Sequence, residues 1–247
     1  MRCLTKDLSE PVEITIDVIT RFAAIGPTCA VERNGRKAGK NTHADITTQL
    51  AKTMDSIVEK AVEYRNEPVV TKAVVMLNAI SQAAAEGSVP ANVGEIAING
   101  LRSVGLLWKE DGTEIICQSL GVLGEVALSF TDNNRPKLMW NAIDAIGRIG
   151  VKHSLPEVMD KLTSILGEIG MRAAQKGVFE GVAATEILSK IGIRALKAED
   201  AAGLEKVTAA LGAIAERAVL DKSQYFARKA NEALTALQTP ATQVAAS

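Results

Sequence analysis

Few side chains in this 247-residue chain have the type and spacing that chemistry requires. It has two histidines, His43 and His153. His153 stands four residues before Glu157, but Pro156 lies between them, so the pattern predicts a turn histidine beside a helix start. His43, close to Asp45, fits an N-terminal helix cap. No H-E-x-x-H, G-x-S-x-G or G-x-x-x-x-G-K-[ST] occurs in the sequence, so no catalytic, metal-binding or cofactor-binding residue is expected. Cys3, Cys29 and Cys117 are odd in number, far apart and outside any CxxC pair. They predict a reducing, cytoplasmic setting, without a disulfide framework or zinc cluster, and Cys29 and Cys117 are expected as small buried hydrophobes. Partner-binding candidates remain. Trp108 precedes Lys109-Glu110-Asp111 and Trp140 follows Lys137-Leu138-Met139, and such large rings anchor partners at interfaces. Arg33, Arg36, Lys37 and Lys40 form a basic cluster suited to an acidic partner, an RNA or a membrane surface, although a solvated loop is the simpler reading.

The composition limits what can position these residues. Hydrophobic residues make up 47% of the chain, yet only eight side chains are aromatic and 37 are alanine. Large β-sandwiches and barrels draw on aromatic and β-branched residues, so a β architecture is excluded. The 28 basic and 29 acidic residues nearly cancel. A chain so balanced and so apolar is not disordered, and it lacks the basic excess with which proteins hold nucleic-acid phosphates. The stretch MRCLTKDLSEP has no apolar core of a signal peptide. Residues 115–130 are apolar but interrupted by Gln118 and Glu125, and fall short of the roughly 20 residues of a membrane span. A transmembrane segment is not expected.

From about residue 44 the apolar spacing is helical. Within it recurs an aliphatic residue followed three positions later by another: Leu77/Ile80, Leu101/Val104, Leu120/Leu123, Ile146/Ile149, Leu166/Ile169, Leu188/Ile191, Leu211/Ile214 and Leu234/Leu237. Single intervals scatter, but taken two at a time they run only from 42 to 46 residues, so the repeating unit is a helix pair. The next residue is Gly105, Gly124, Gly150, Gly170 and Gly192 in five of the eight cases. Glycine within a helix costs about 1 kcal/mol relative to alanine, and its recurrence predicts close helix–helix crossings. The alternative is that some of them, Gly105 or Gly150 first, end their helices.

Breaks fall between the blocks, at Gly87-Ser88-Val89-Pro90, Asp111-Gly112-Thr113, the run from Thr131 to Pro136, His153-Ser154-Leu155-Pro156 and Gly177. Pro90, Pro136 and Pro156 mark helix starts, and boundaries near 178–183 and 198–204 are softer. The first 68 residues are less regular. Ile14, Val18, Phe22 and Ile25 predict a helix after Pro11, although Val12, Ile14, Ile16 and Val18 also alternate as in a strand. A loop is expected over 26–41, a helix from His43–Asp45 to about Asn66, helix-pair repeats over 69–237 and a frayed tail over 239–247.

The blocks AINGLRSVGLLWKEDG (97–112), CQSLGVLGEVAL (117–128), NAIDAIGRIGVKH (141–153), LTSILGEIGMRAAQKG (162–177) and ATEILSKIGIRAL (184–196) resemble HEAT and armadillo-like α-solenoids. The inner-turn Asp and Arg of HEAT repeats do not recur cleanly. The resemblance implies an all-α fold, an α-α superhelix of ten or eleven helices in a single domain over 1–247, stabilised by neighbour contacts. It also implies a non-catalytic scaffold or adaptor whose concave face or ends bind a protein, a second copy of the chain included. A HEAT-like family of DNA-base glycosylases uses tryptophans and an Asp, which makes Trp108, Asp111 and Trp140 the competing site, but the charge balance speaks against nucleic acid. A peripheral membrane adaptor is the third reading, and no basic amphipathic helix supports it.

Overall fold

The computed structural model describes residues 40–109 and 112–238. Among them are nine α-helices and no strand: α1 (Lys40–Glu63), α2 (Glu67–Glu86), α3 (Ala91–Leu107), α4 (Thr113–Asp132), α5 (Pro136–Lys152), α6 (Pro156–Lys176), α7 (Val182–Lys197), α8 (Ala201–Leu220) and α9 (Gln224–Gln238). A short 3-10 turn, Phe179–Gly181, precedes α7. The fold is all-α. The expected helix after Pro11, most of the 26–41 loop and the 239–247 tail lie outside the described residues.

Local signals explain most boundaries. Asn66 caps α2, its side chain accepting the Val69 N–H at 3.3 Å, and Pro68 sits in the first turn, where an N–H has no intrahelical partner. Asp200 caps α8 by accepting the Gly203 N–H at 2.9 Å. Pro136 and Pro156 open α5 and α6, whereas Pro90 stands one residue before α3. Gly87 and Gly177 close α2 and α6 at φ 82° and 70°, the left-handed conformation in which a Cβ is penalised.

The chain divides into two compact units, Met1–Val126 and Ala127–Ser247. In the first, α1 packs on α2 and α3, and α2 on α3. In the second, α5 packs on α6 and α7, α6 on α7 and α8, α7 on α8 and α9, and α8 on α9. Helix α1 in the first unit and α5, α6 and α7 in the second therefore each meet their successor and the helix after that. Polar contacts repeat the same translation along the chain. In the first unit Asn78 bonds Glu125 and Asn92 bonds Thr48, 47 and 44 residues apart. In the second, Arg172 pairs with Asp132, Arg194 with the Val151 carbonyl and Lys206 with Asp160, separated by 40, 43 and 46 residues. These bonds are exposed and contribute little each.

The core carries the energy. Every residue of the eight aliphatic pairs is buried except Ile191 and Leu234, which are half-buried. Each fully buried Leu or Ile contributes about 1.5–3 kcal/mol over an exposed one. Gly105 and Gly150 lie inside helices, two residues from their ends, so neither acts as a terminator. A β-carbon on Gly170 would come within 2.5 Å of Ile214 Cδ1, and one on Gly192 within 2.7 Å of Leu237 Cδ1. These glycines mark close crossings. Helices α2 and α4 are long and apolar enough to cross a membrane by length and composition alone, but 56% and 50% of their apolar windows are already buried, as in core helices.

Candidate functional site

The two tryptophans occupy different environments in different units. Trp108 ends α3 in extended conformation (φ −67°, ψ 141°), which turns its ring back onto the protein, and it is only 8% exposed. Its Nε1 edge lies over Gly112, where a β-carbon would collide with the indole. Trp140, in the second turn of α5, is 48% exposed. It shares a face with Asp144, Arg148 and Val151, spaced four, eight and eleven residues on. Arg148 Nε donates to Asp144 Oδ2 at 2.7 Å, and Val151 is 75% exposed. The other flank of this helix, with Leu138, Met139, Ala142, Ile143, Ile146 and Ile149, is buried. Arg33, Arg36, Lys37 and Asp111 lie outside the described residues, as do the side chains of Lys40 and His43. His153, the C-cap of α5, is buried in the turn before Pro156. Cys117 is half-buried. Among the described residues no group of three acidic, Cys or His side chains could hold a metal ion.

The first unit contains a cavity of about 660 Å³ between the end of α1, the start of α2 and the α3–α4 turn. Val62, Leu107 and Trp108 give it apolar walls, and Glu59, Arg65, Glu67 and Lys109 bring charge of both signs. The tight turn at Arg65 (φ 53°) brings Glu67 round to the same opening as Glu59. Glu63 also borders it, with its carboxylate held by Lys60 at 2.6 Å. Sequence reading singled out Trp108 but neither Glu59 nor Lys109. The only local signal was the pair of carboxylates at Glu59 and Glu63, an i, i+4 spacing at which like charges repel.

One turn before Glu59, Asp55 faces α3 next to Gly100, and its Oδ1 is buried without a hydrogen-bond partner. Burial raises its pKa above the ordinary carboxylate value, the Glu59 charge adds to the rise, and Arg102 opposes it. A smaller cavity of about 280 Å³ in the second unit lies between α6, α7 and α8. The Lys206–Asp160 ion pair and the Asp200 cap occupy its polar rim.

No protein-family model and no curated protein matches the chain. Among solved structures it is similar to the "DHF46 filament", at 13% identity and a TM-score of 0.47, covering 78% of this chain and 97% of that one. A likeness of that size supports no inference about assembly or function.

Proposed function

We propose that the chain is a non-catalytic protein-interaction scaffold of the HEAT or armadillo-like α-solenoid type, working in the cytoplasm. The exposed face of α5 is its contact surface. The observation that carries this reading is Trp140, a half-exposed indole beside Arg148 and Val151 on a helix whose other flank is locked in the core. Trp and Arg dominate the energy of protein interfaces, and a rigid helix holds them without an ordering cost. The packing of α1, α5, α6 and α7 on their next and next-but-one neighbours supports the solenoid, as do polar contacts at separations of 40–47 residues.

A second copy of the chain is the simplest partner. Val219 and Leu220 at the end of α8 are exposed, as is Phe179, whose ring meets Tyr225 edge-on at 5.6 Å. Two measurements test the proposal. Light scattering across a concentration series reads self-association, and quantitative capture from the native cell compares wild-type bait with Trp140→Ala. Loss of a hot-spot residue weakens binding by about 2 kcal/mol or more, about 30-fold, so a true partner is retained by the wild type and lost by the variant. A monomer at all concentrations, with identical proteins on both baits, would refute the reading.

A further inference from the structure

The second unit has two layers of different charge. Helices α5, α7 and α9 lie side by side, as do α6 and α8. The first three together carry eight basic and three acidic residues, whereas α6 and α8 carry five of each. Helix dipoles account for only part of this excess. Lys152, Arg194 and Lys197 stand in last turns, where a cation is favoured. Arg148, Lys190, Arg228 and Lys229 do not, and Lys137 lies in the first turn of α5, where the dipole disfavours it.

The exposed stripes of these helices adjoin one another. On α7, Glu186, Lys190, Ile193, Arg194 and Lys197 are exposed at helical spacing. The Arg194 guanidinium donates to the Val151 carbonyl at 3.3 Å, which seats this stripe beside that of α5. Helix α5 also packs on the turn at Phe179, whose ring meets Tyr225, and Arg228 lies 5.5 Å from the centre of the Tyr225 ring. Trp140, Phe179 and Tyr225, three of the chain's eight aromatic residues, are thus exposed on the basic layer. Lys190 and Lys197 form no ion pair with a described residue, so their charge is available to a partner.

We propose that this layer binds an acidic segment of another protein, its carboxylates on Lys190, Arg194 and Lys197 and its apolar side chains on Trp140, Val151 and Ile193. The proposal rests on the α5 face as the contact surface and assigns the chemistry of its occupant. Clustered basic residues read acidic motifs, and opposed charge steers the encounter and fixes its register. A nucleic-acid backbone carries a charge at every nucleotide and would meet Asp144, Glu186 and Glu232 in the same layer, whereas a peptide can space its carboxylates around them.

Selection of random displayed peptides of about 16 residues against the full chain tests this, with the enriched peptides expected to hold about twice the Asp and Glu of the input or more. Lys190→Glu with Lys197→Glu should weaken the best peptide by about tenfold or more, as should Trp140→Ala. Lys52→Glu with Lys161→Glu makes the same change of net charge at exposed positions outside the layer and should leave binding within about twofold. Selection on the unsubstituted protein is decisive even if a variant fails to fold. Enriched peptides no more acidic than the input, or equal weakening by the two charge-reversed pairs, would overturn the assignment. So would tighter binding of a single-stranded RNA or of phosphatidylserine vesicles than of the best peptide. Self-association lost in Trp140→Ala, with no peptide enriched, would overturn it too while leaving the α5 contact surface standing.

Discussion

Two glycines in neighbouring helices should respond to alanine in opposite directions. Gly192 lies within α7 and Gly212 within α8, so each replacement gains helix propensity of about 0.5–1 kcal/mol. Around Gly212 there is nothing within 4 Å of the new methyl group. Gly212→Ala should therefore stabilise the protein by that amount. At Gly192 the methyl would lie 2.7 and 2.8 Å from the two Leu237 methyls and 3.1 Å from Val207 Cγ1. Carbon pairs are at ease at about 3.5–4.0 Å, and here two neighbouring helices, α8 and α9, press from both sides, so rotating one side chain does not relieve the contact. Overpacking of this kind costs about 1–3 kcal/mol, which outweighs the propensity gain. Propensity cancels between the two variants, leaving a difference on the order of 2 kcal/mol, or about 4–8 °C in Tm. Helix content at 222 nm against urea and against temperature measures it, both sites belonging to the unit Ala127–Ser247. Leu237→Ala should also be less damaging in the Gly192→Ala background than in the wild type. If Gly192→Ala proves as stable as Gly212→Ala, the crossing is not what holds glycine at that repeat position.

Three further substitutions probe polar groups. Asp55→Asn should raise Tm at pH 7. The folded carboxyl has a raised pKa, so its penalty is absent below the unfolded value near 3.9 and grows as pH rises through the folded one. The gain, held below about 1 kcal/mol by half-exposure to solvent, should vanish by pH 3–4, and an equal gain at both pH values would contradict the cause given. Ser81 is fully buried and its hydroxyl has no partner, so Ser81→Ala should stabilise by about 1 kcal/mol in urea unfolding, and a loss would count against that assignment. Asp200→Ala removes the cap of α8 and should cost about 1 kcal/mol, with faster amide exchange confined to the first turn of that helix.

The sequence made the helices and their repeat legible because both follow from local chemistry. Proline fixes a helix start and left-handed glycine fixes an end, and Pro136, Pro156, Gly87 and Gly177 do so where expected. The aliphatic pairs went to the core because a helix has one inward face and these residues lie on it at every repeat. The softer boundaries needed tertiary information: Phe179–Gly181 forms a 3-10 turn, and α8 starts at an Asp200 cap with no proline to mark it. The tryptophans show the limit most clearly. Both sit near helix ends among charged residues, and the sequence does not separate them. Trp108 is buried because the chain leaves α3 in extended conformation at that residue, whereas Trp140 sits inside α5, and helix phase alone points it outward. The cavity was illegible for the same reason. It depends on the turn at Arg65 and on where α3 stops, neither of which has a periodic signature.

Scarcity of rings and abundance of alanine have a common cause in the crossings. Where Gly170 meets Ile214 and Gly192 meets Leu237, a methyl group is already too large, so an aromatic ring at these inward positions would force the helices apart. A chain built to that specification places large rings only where the stacking of helices ends or never reaches. Phe130 and Phe226 are the fully buried exceptions, at the last turn of α4 and the first of α9. Trp108 caps a helix end, Phe179 and Tyr225 pair beside turns, and Trp140 points away from the core. Packing therefore accounts for Trp108, at least in part, through Gly112, but gives no account of Trp140. Exposing half an indole forgoes burial that a smaller residue would not need. If nothing binds there, Trp140→Gln should leave stability within about 0.5 kcal/mol of the wild type and every interaction of the protein unchanged. The scaffold reading requires the first result and forbids the second.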